Sequence, residues 1–597
     1  MKDRSFNMNP RLFCISSLIL FLALCFVPVF GQDNPPELVI DANAQTTTLP
    51  RIFQPALDLS GRGFHRDKSW PQTLAGKDAL DTWQKDIGFS GIYRLQYNLW
   101  EISRLAADKE AKDKLLANYE NVIKNISDAG GIVILDIFST PAGTGKVLDK
   151  KSPPSDLAAY KGLVKGYMRY LSCEKKYNVW YEVWSAPDLE DFFLGKQQEY
   201  LNIYRAVAQA ARELELETKI HILVGGPSSS WWFQNLSENN IFLAERSLVY
   251  QLIRFCYHNH LPLDFISWHA YSTDPKAEKE TTTYNNKPTI SLIRDWLSYF
   301  HFDRNTPLII DEWNYDRPQN VLPERAENAW IAASYIPSRI KNMHQAGLDY
   351  QLYFSLEDFQ DNHEGVVRNT GIFWYDSESK EYKGGSKCSY NIFRMLGSLG
   401  DKMLAVQQKW DDDFMGALVT RKDKSLAVLI YNYLDPELAK SYISRNMSIL
   451  EGAEVKTIAQ LLSSGEMDKL LSHQLEIKGL RASNNVKNML YKALELSDQY
   501  KKLVNSERSL KLIIRNMEGD YLYQRYAVDA SCAVNCEYSP KQEKEISFIP
   551  GQAYEEELKV PPYSVQFILI TPKPKVEAPQ ALQQEAAGKP AIETEKK

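Results

Sequence analysis

Between about residue 50 and residue 400 the chain alternates short, almost unbroken apolar runs with amphipathic stretches of helical period. The runs fall at 53–59, 89–96, 131–138, 179–185, 219–225, 263–271, 307–314 and 349–356, and are rich in Val, Ile, Leu, Phe and Tyr. Runs that lack in–out alternation predict parallel strands covered on both faces. Between them Leu157 to Tyr170, Tyr200 to Leu214 and Arg325 to His344 carry the apolar spacing of helices. Eight strand–helix repeats predict an α/β fold, a (β/α)8 TIM barrel spanning 50–402. A doubly wound open sheet is the alternative, but no glycine-rich phosphate loop follows the first run.

After Gly400 the period changes. Residues 414–420 and 425–433 alternate around Lys422-Asp423-Lys424, and further strands are expected at 509–515, 521–528, 545–549 and 564–570. This pattern predicts a β-sandwich over 403–572 with a helical insert at about 451–505. Within the insert, Val486, Met489, Leu490, Ala493 and Leu494 share one helical face, expected to pack on the sandwich. The tail, 573–597, is rich in Pro, Ala, Gln, Lys and Glu and is expected to be disordered.

At the N-terminus Lys2, Arg4 and Arg11 precede an apolar run from Leu12 to Phe30. Residues 1–31 therefore read as a secretory signal, with an uncleaved anchor as the alternative. Loss of three cations and Asp3 moves the formal charge from −6 to about −8. The expected location is secreted or periplasmic, with no stable membrane insertion once the signal is cleaved. No basic tract interleaves with aromatics, which argues against a nucleic-acid partner. Of the seven cysteines, Cys532 and Cys536 are spaced to bridge in an oxidising compartment, while Cys173, Cys256 and Cys388 fit buried free thiols. No cysteine–histidine spacing suggests zinc, and no metal or cofactor is expected. Thirteen Trp and 33 Tyr suit either large cores or stacking on sugar rings.

In a TIM barrel chemistry sits at the C-terminal strand ends. Those ends carry Arg94 and Gln96, then Glu182, Trp184 and Ala186, then Trp268, His269 and Tyr271, then Glu312, Trp313 and Asn314, then Ser355, Glu357 and Asp358. Glu312 stands out. It follows Leu308-Ile309-Ile310, and a position two beyond Ile310 shares its face, read here as inward. A carboxylate there must be hydrogen-bonded or used. Tyr271 is placed to donate to it and hold it ionised.

Three segments carry a family likeness: Tyr-Glu-Val-Trp-Ser-Ala-Pro-Asp-Leu at 181–189, Asp-Phe-Ile-Ser-Trp-His-Ala-Tyr at 264–271, and Asp-Glu-Trp-Asn at 311–314. Ser389-Tyr390-Asn391, Arg525-Tyr526-Ala527-Val528-Asp529 and Pro561-Pro562-Tyr563-Ser564-Val565 extend it. In this order they resemble glycoside hydrolase family 39, the retaining (β/α)8 glycosidases that include β-xylosidases and α-L-iduronidases. The resemblance implies Glu312 as nucleophile. It implies Arg94, Trp184, Ser185, His269, Tyr271 and Trp313 as substrate-binding residues, with a carbohydrate as substrate or ligand. The chain departs from the family where the first segment should read Trp-Asn-Glu-Pro. Ala186 stands at the acid/base position, Ser185 at the neighbouring Asn, and Gln96 where a His is common. A retaining glycosidase needs two carboxyls about 5–5.5 Å apart, and alanine cannot serve as one. Glu182 lies four residues back, about 13 Å deeper along the strand. Asp188, Glu190, Glu357 and Asp358 are the other neighbouring acids. The expectation is a glycoside hydrolase-like protein acting on O-glycosidic bonds of a poly- or oligosaccharide with an impaired acid/base. A catalytically inactive carbohydrate-binding protein and a transglycosylase are the alternatives. The sequence is silent on sugar, linkage and oligomeric state.

Overall fold

A computed structural model of the chain describes residues 35–573, apart from 60–71, 74–76, 233–243, 280–286, 317–328, 361–366, 369, 376–383, 411 and 533–534. The expected signal at 1–31 and the tail from 574 onward lie outside the described residues.

Eight parallel strands close a barrel in chain order: Leu57–Asp58, Ile92–Asn98, Ile132–Phe138, Val179–Val183, Val224–Ser229, Phe265–Tyr271, Leu308–Asn314 and Tyr350–Phe354. They are numbered one to eight in that order. The eighth closes on the first through Tyr353↔Leu57 and Phe354↔Asp58. Most lie where the apolar runs predict. Strand five is the exception. The apolar run predicts it at 219–225, yet it spans Val224–Ser229, because residues 219–223, which leave helix Gln197–Thr218 with Lys219 in the left-handed region, are not strand.

The barrel interior is layered. Ile92, Ile134, Phe265, Ile309 and Leu352, with Trp180 and Tyr350 beside them, form an apolar floor. Two residues further along each strand the same face points inward again. There Arg94, Asp136, Glu182, Ser267 and Asp311 replace Ile92, Ile134, Trp180, Phe265 and Ile309, all five wholly buried. The outward faces pack under the helices in one large core.

The second unit is a two-sheet sandwich. One sheet orders Gln407–Lys409, Glu37–Asp41, Arg508–Arg515 and Tyr554–Val560. The other runs through Thr46–Thr48, Lys402–Leu404, Met415–Lys422, Ser425–Asn432, Ser564–Pro572, Gly519–Val528 and Gln542–Phe548. Two strands thus come from the segment before the barrel, outside the span expected for the sandwich. Alternation along Ser425–Asn432 explains the assembly. Leu426, Val428 and Ile430 face the sandwich core, while Ala427, Leu429 and Tyr431 join the barrel core.

Helices Leu438–Asn446, Gly452–Ser463, Glu466–Leu471 and Asn484–Val504 form the insert. Its apolar stripe does not pack on the sandwich as expected. Val486, Met489, Leu490 and Ala493 close a separate small core with Ile443, Ile458, Leu461 and Met467. Four helices are enough to bury the stripe locally. Cys532 and Cys536 form a disulfide, Cys256 and Cys388 are buried free thiols, and Cys173 is half-buried.

Candidate active site

The polar layer of the barrel is organised around one cation. The Arg94 guanidinium sends Nε to Glu182 Oε2 at 2.5 Å and Nη1 to Asp58 Oδ2 at 2.8 Å. Its Nη2 reaches Ser228 Oγ and Asp136 Oδ2, both at 3.1 Å. Asp311 Oδ2 lies 3.9 Å from Nε, and Glu312 Oε2 lies 3.8 Å from Nη1. Ser267 Oγ donates to the other oxygen of Glu182 at 2.6 Å. Five carboxyl groups therefore surround one guanidinium, and a single positive charge cannot neutralise them all. The balance is met by protons. Burial first, opposed by Arg94, drives the Asp136 carboxyl well above its ordinary range. Burial first, reinforced by Glu182, does the same to Asp311.

Only one of the five reaches the surface. Asp58, Asp136, Glu182 and Asp311 are wholly enclosed, whereas the Glu312 side chain is 14% exposed. Tyr271 donates its hydroxyl hydrogen to Glu312 Oε1. His269 Nε2 stands 3.5 Å from Glu312 Oε2 and 3.1 Å from Ser228 Oγ. Burial, then Arg94, hold His269 well below the ordinary imidazole range, so the ring is neutral.

Two expectations about Glu312 need correction. Its inward aim does not come from sharing the face of Ile310, which packs outward in the helix-covered core. Ile309 and Asp311 are the inward pair. A bulge between strands six and seven then pairs His269 with Glu312 after Trp268 with Ile310, turning two successive acids toward the interior. Nor does Tyr271 keep Glu312 at a low pKa. Burial, with Asp58 adding to it, outweighs Arg94 and the tyrosine hydrogen bond and pushes the carboxyl up to about 8.

Of the other expected site residues, Arg94, His269 and Tyr271 come together on Glu312. Trp184 and Trp313 do not. Trp184 is wholly buried, donates to the Phe192 carbonyl at 3.0 Å, and packs on Phe138 and Phe193. Trp313 is wholly buried, donates to Gln351 at 2.7 Å, and packs on Tyr335 and Tyr353. Alternation sends Trp313 away from the side its neighbour Glu312 occupies. Both rings are core.

Strand four stops at Val183, and the turn beyond it is closed. Ser185 and Ala186 are buried, and the Ala186 N–H donates to the Ser228 carbonyl at 2.8 Å. Trp184 and Ala186 both adopt the left-handed region, at φ 67° and 44°. The neighbouring acids are engaged, buried or turned away. Glu182 is held in the interior as its depth predicts. Asp188 takes the Ser230 N–H and hydroxyl at 2.9 and 2.7 Å. Asp358 pairs with Lys387 at 2.5 Å, Glu357 beside it is buried, and Glu190 is exposed.

Sequence reasoning missed Asp58, Asp136, Ser228 and Asp311. Asp58 and Asp136 carry a readable signal, a lone acid inside an apolar strand, and Asp311 stands directly before Glu312. Ser228 was hidden by the displaced strand five.

The profile of glycosyl hydrolases family 39 matches residues 147–439, from the loop after strand three past the sandwich strand Ser425–Asn432 to the start of helix Leu438–Asn446. A β-xylosidase of Geobacillus stearothermophilus is 25% identical over 296 residues, 47% of this chain and 53% of that protein. The chain thus spans about half the length of that relative. A β-xylosidase of Caldicellulosiruptor saccharolyticus is 28% identical over 378 residues, 59% of this chain and 70% of that protein. The crystal structure of a glucosidase from Croceicoccus marinus shares the fold, with a TM-score of 0.59 at 16% identity over 91% of this chain and 100% of that one. Barrel topology, profile and relatives agree, and the resemblance of this chain to glycoside hydrolase family 39 holds.

Proposed function

We propose that this chain is an extracytoplasmic glycoside hydrolase that acts on O-glycosidic bonds of saccharides, with Glu312 as nucleophile and no general acid at residue 186. The observation that carries the reading is the position of Glu312. Among the described residues around Arg94 it is the one carboxyl open to the mouth, and Tyr271, His269 and Arg94 all face it. Ionised, it attacks an anomeric carbon, and the Arg94 and Tyr271 donors stabilise charge on its oxygens. The raised pKa makes the ionised, reactive form dominant only above about pH 8. Arg94 and His269 supply neighbouring polar groups for sugar hydroxyls. The relatives' names, β-xylosidase and glucosidase, set the sugars to try first.

A second reading, a carbohydrate-binding protein without turnover, is favoured by the closed tip of strand four. One experiment separates the two. The protein is incubated with 2,4-dinitrophenyl 2-deoxy-2-fluoro-β-xyloside and the corresponding glucoside, followed by intact mass and peptide mapping. A glycosyl adduct on Glu312 is expected. Binding of xylo- or gluco-oligosaccharides with no adduct from either reagent sinks the enzyme reading.

A further inference from the structure

The four-helix insert buries its apolar stripe in a core of its own, yet one of its side chains reaches the loop beside Glu312. Strand six ends at Tyr271, the donor to Glu312. Its ladder is weak there: the Ser272 N–H reaches the Asn314 carbonyl only at 3.4 Å. The direction of the chain beyond Tyr271 is set instead by grips on three successive carbonyls. Tyr335 donates its hydroxyl to Ser272, Tyr433 donates to Thr273 at 2.6 Å, and Arg339 Nη1 donates to Asp274 at 2.6 Å. All three donors are buried. Tyr335 and Arg339 stand on helix Ala329–Ala346, and Tyr433 directly follows sandwich strand Ser425–Asn432.

A fourth grip comes from the insert. Arg445 Nη1 holds the Asp274 carboxylate at 3.1 and 3.3 Å. Its helix, Leu438–Asn446, is seated in the insert core by Ala439 and Ile443, so the guanidinium is presented from a fixed body. The surroundings of Asp274 are acidic. Glu278 and Asp435 are buried near it, and Arg339 Nη2 is already engaged by Glu278 at 2.5 Å. Burial first, then Asp274, push the Asp435 carboxyl up to about 6. Without Arg445 the Asp274 carboxylate faces these acids with only the shared Arg339, and buried like charges move apart.

Resting on the glycosidase reading, we propose that Arg445 is a positioning residue: by holding Asp274 it fixes the loop three residues beyond Tyr271 and keeps the tyrosine hydroxyl on Glu312. The chain between the two is pinned at every carbonyl, so a displacement at Asp274 has no slack to absorb it. An ångström of drift at the phenol is enough to break its hydrogen bond to the nucleophile. The insert thereby supports the reactive carboxyl from outside the barrel.

The test uses the full chain with 3-fluorotyrosine in place of Tyr271, whose fluorine resonance reads the phenol's surroundings without turnover. Arg445→Ala is expected to move the resonance by more than its linewidth, and Arg445→Lys to return it most of the way. Asp274→Asn removes the same contact from the barrel side and is expected to match Arg445→Ala, which keeps the test open should one variant not fold. Lys440→Ala, which frees Glu437 and Asp468 on the insert, is expected to leave the resonance in place. On 2,4-dinitrophenyl β-xyloside and β-glucoside, Arg445→Ala is expected to lose about tenfold in kcat with KM changed less than about twofold. The acid limb of its profile should rise above about 8, because the Tyr271 hydrogen bond opposes burial at Glu312. The loss should vanish in a Tyr271→Phe background, where no hydroxyl is left to place. An unmoved resonance in Arg445→Ala and Asp274→Asn, an equal movement in Lys440→Ala, or an equal loss in the Tyr271→Phe background overturns the positioning role. A parent without turnover on either glycoside overturns the glycosidase reading instead, while the resonance still decides the clasp.

Discussion

The tips of strands seven and four face the same barrel mouth and are built in opposite ways. At strand seven a bulge turns two successive acids inward and leaves the second at the surface, surrounded by Tyr271, His269 and Arg94. At strand four the backbone turns through two left-handed residues and buries an alanine against Ser228. The first tip concentrates polar groups on one carboxyl. The second spends its hydrogen bonds on holding loops together. A strand end without a carboxyl keeps its fold here, because backbone bonds and the Asp188–Ser230 clasp carry the local structure. The Arg94 cluster has no such freedom, since its buried carboxyls share one guanidinium.

That contrast can be tested by substitution. Glu312→Gln should remove on the order of 10⁴-fold of kcat on dinitrophenyl glycosides, because it deletes the bond-forming group. Residual activity within tenfold of the parent would break the assignment of chemistry to strand seven. Arg94→Met should cost about 3–5 kcal/mol of stability, read as a lowered denaturation midpoint, because the buried carboxyls lose the guanidinium they share. A change below about 1 kcal/mol would mean that protons, not Arg94, carry the charge balance.

Asp58→Asn sharpens the electrostatic side. Asp58 is the charge that adds to burial in raising Glu312, so its removal should move the acid limb of the kcat/KM profile down from about 8 by about one unit. The sign also governs stability. A carboxyl whose folded value exceeds its unfolded value of 4.5 contributes stability below pH 4.5 and loses it as pH rises through about 8. Glu312→Gln should therefore gain stability relative to the parent at pH 9 over pH 5, by on the order of 3 kcal/mol in paired urea titrations. The smallest effect belongs to strand four. Ala186→Gly should stabilise by about 1 kcal/mol, since a left-handed φ of 44° strains alanine and not glycine. No gain, or a loss, would show that the Ala186 methyl group packs more usefully than its backbone is strained.

Much of the architecture was legible. Unbroken apolar runs with amphipathic stretches between them specify buried parallel strands, and seven of the eight run close to the expected positions. Arg94, His269, Tyr271 and Glu312 stand out because a polar side chain at the end of an apolar strand must be satisfied or used. Trp184 and Trp313 stand out only by their type and their neighbours, and that signal fails because a strand sends adjacent side chains to opposite faces. The inward direction of Glu312 has a different cause from the one expected, because a single-residue bulge inverts parity and leaves no mark in the hydrophobic pattern.

The sequence by itself determined which residues are present: the apolar period that closes a barrel, a glutamate at one strand tip and an alanine at the other. Periodicity suffices for that, since it is a local property of the chain. Only the tertiary structure brought Asp58, Asp136, Glu182, Asp311 and Glu312, from four different strands, around one arginine on a fifth. The resulting burial and mutual repulsion set the charge on Glu312, and those forces depend on distances through space that no spacing along the chain encodes.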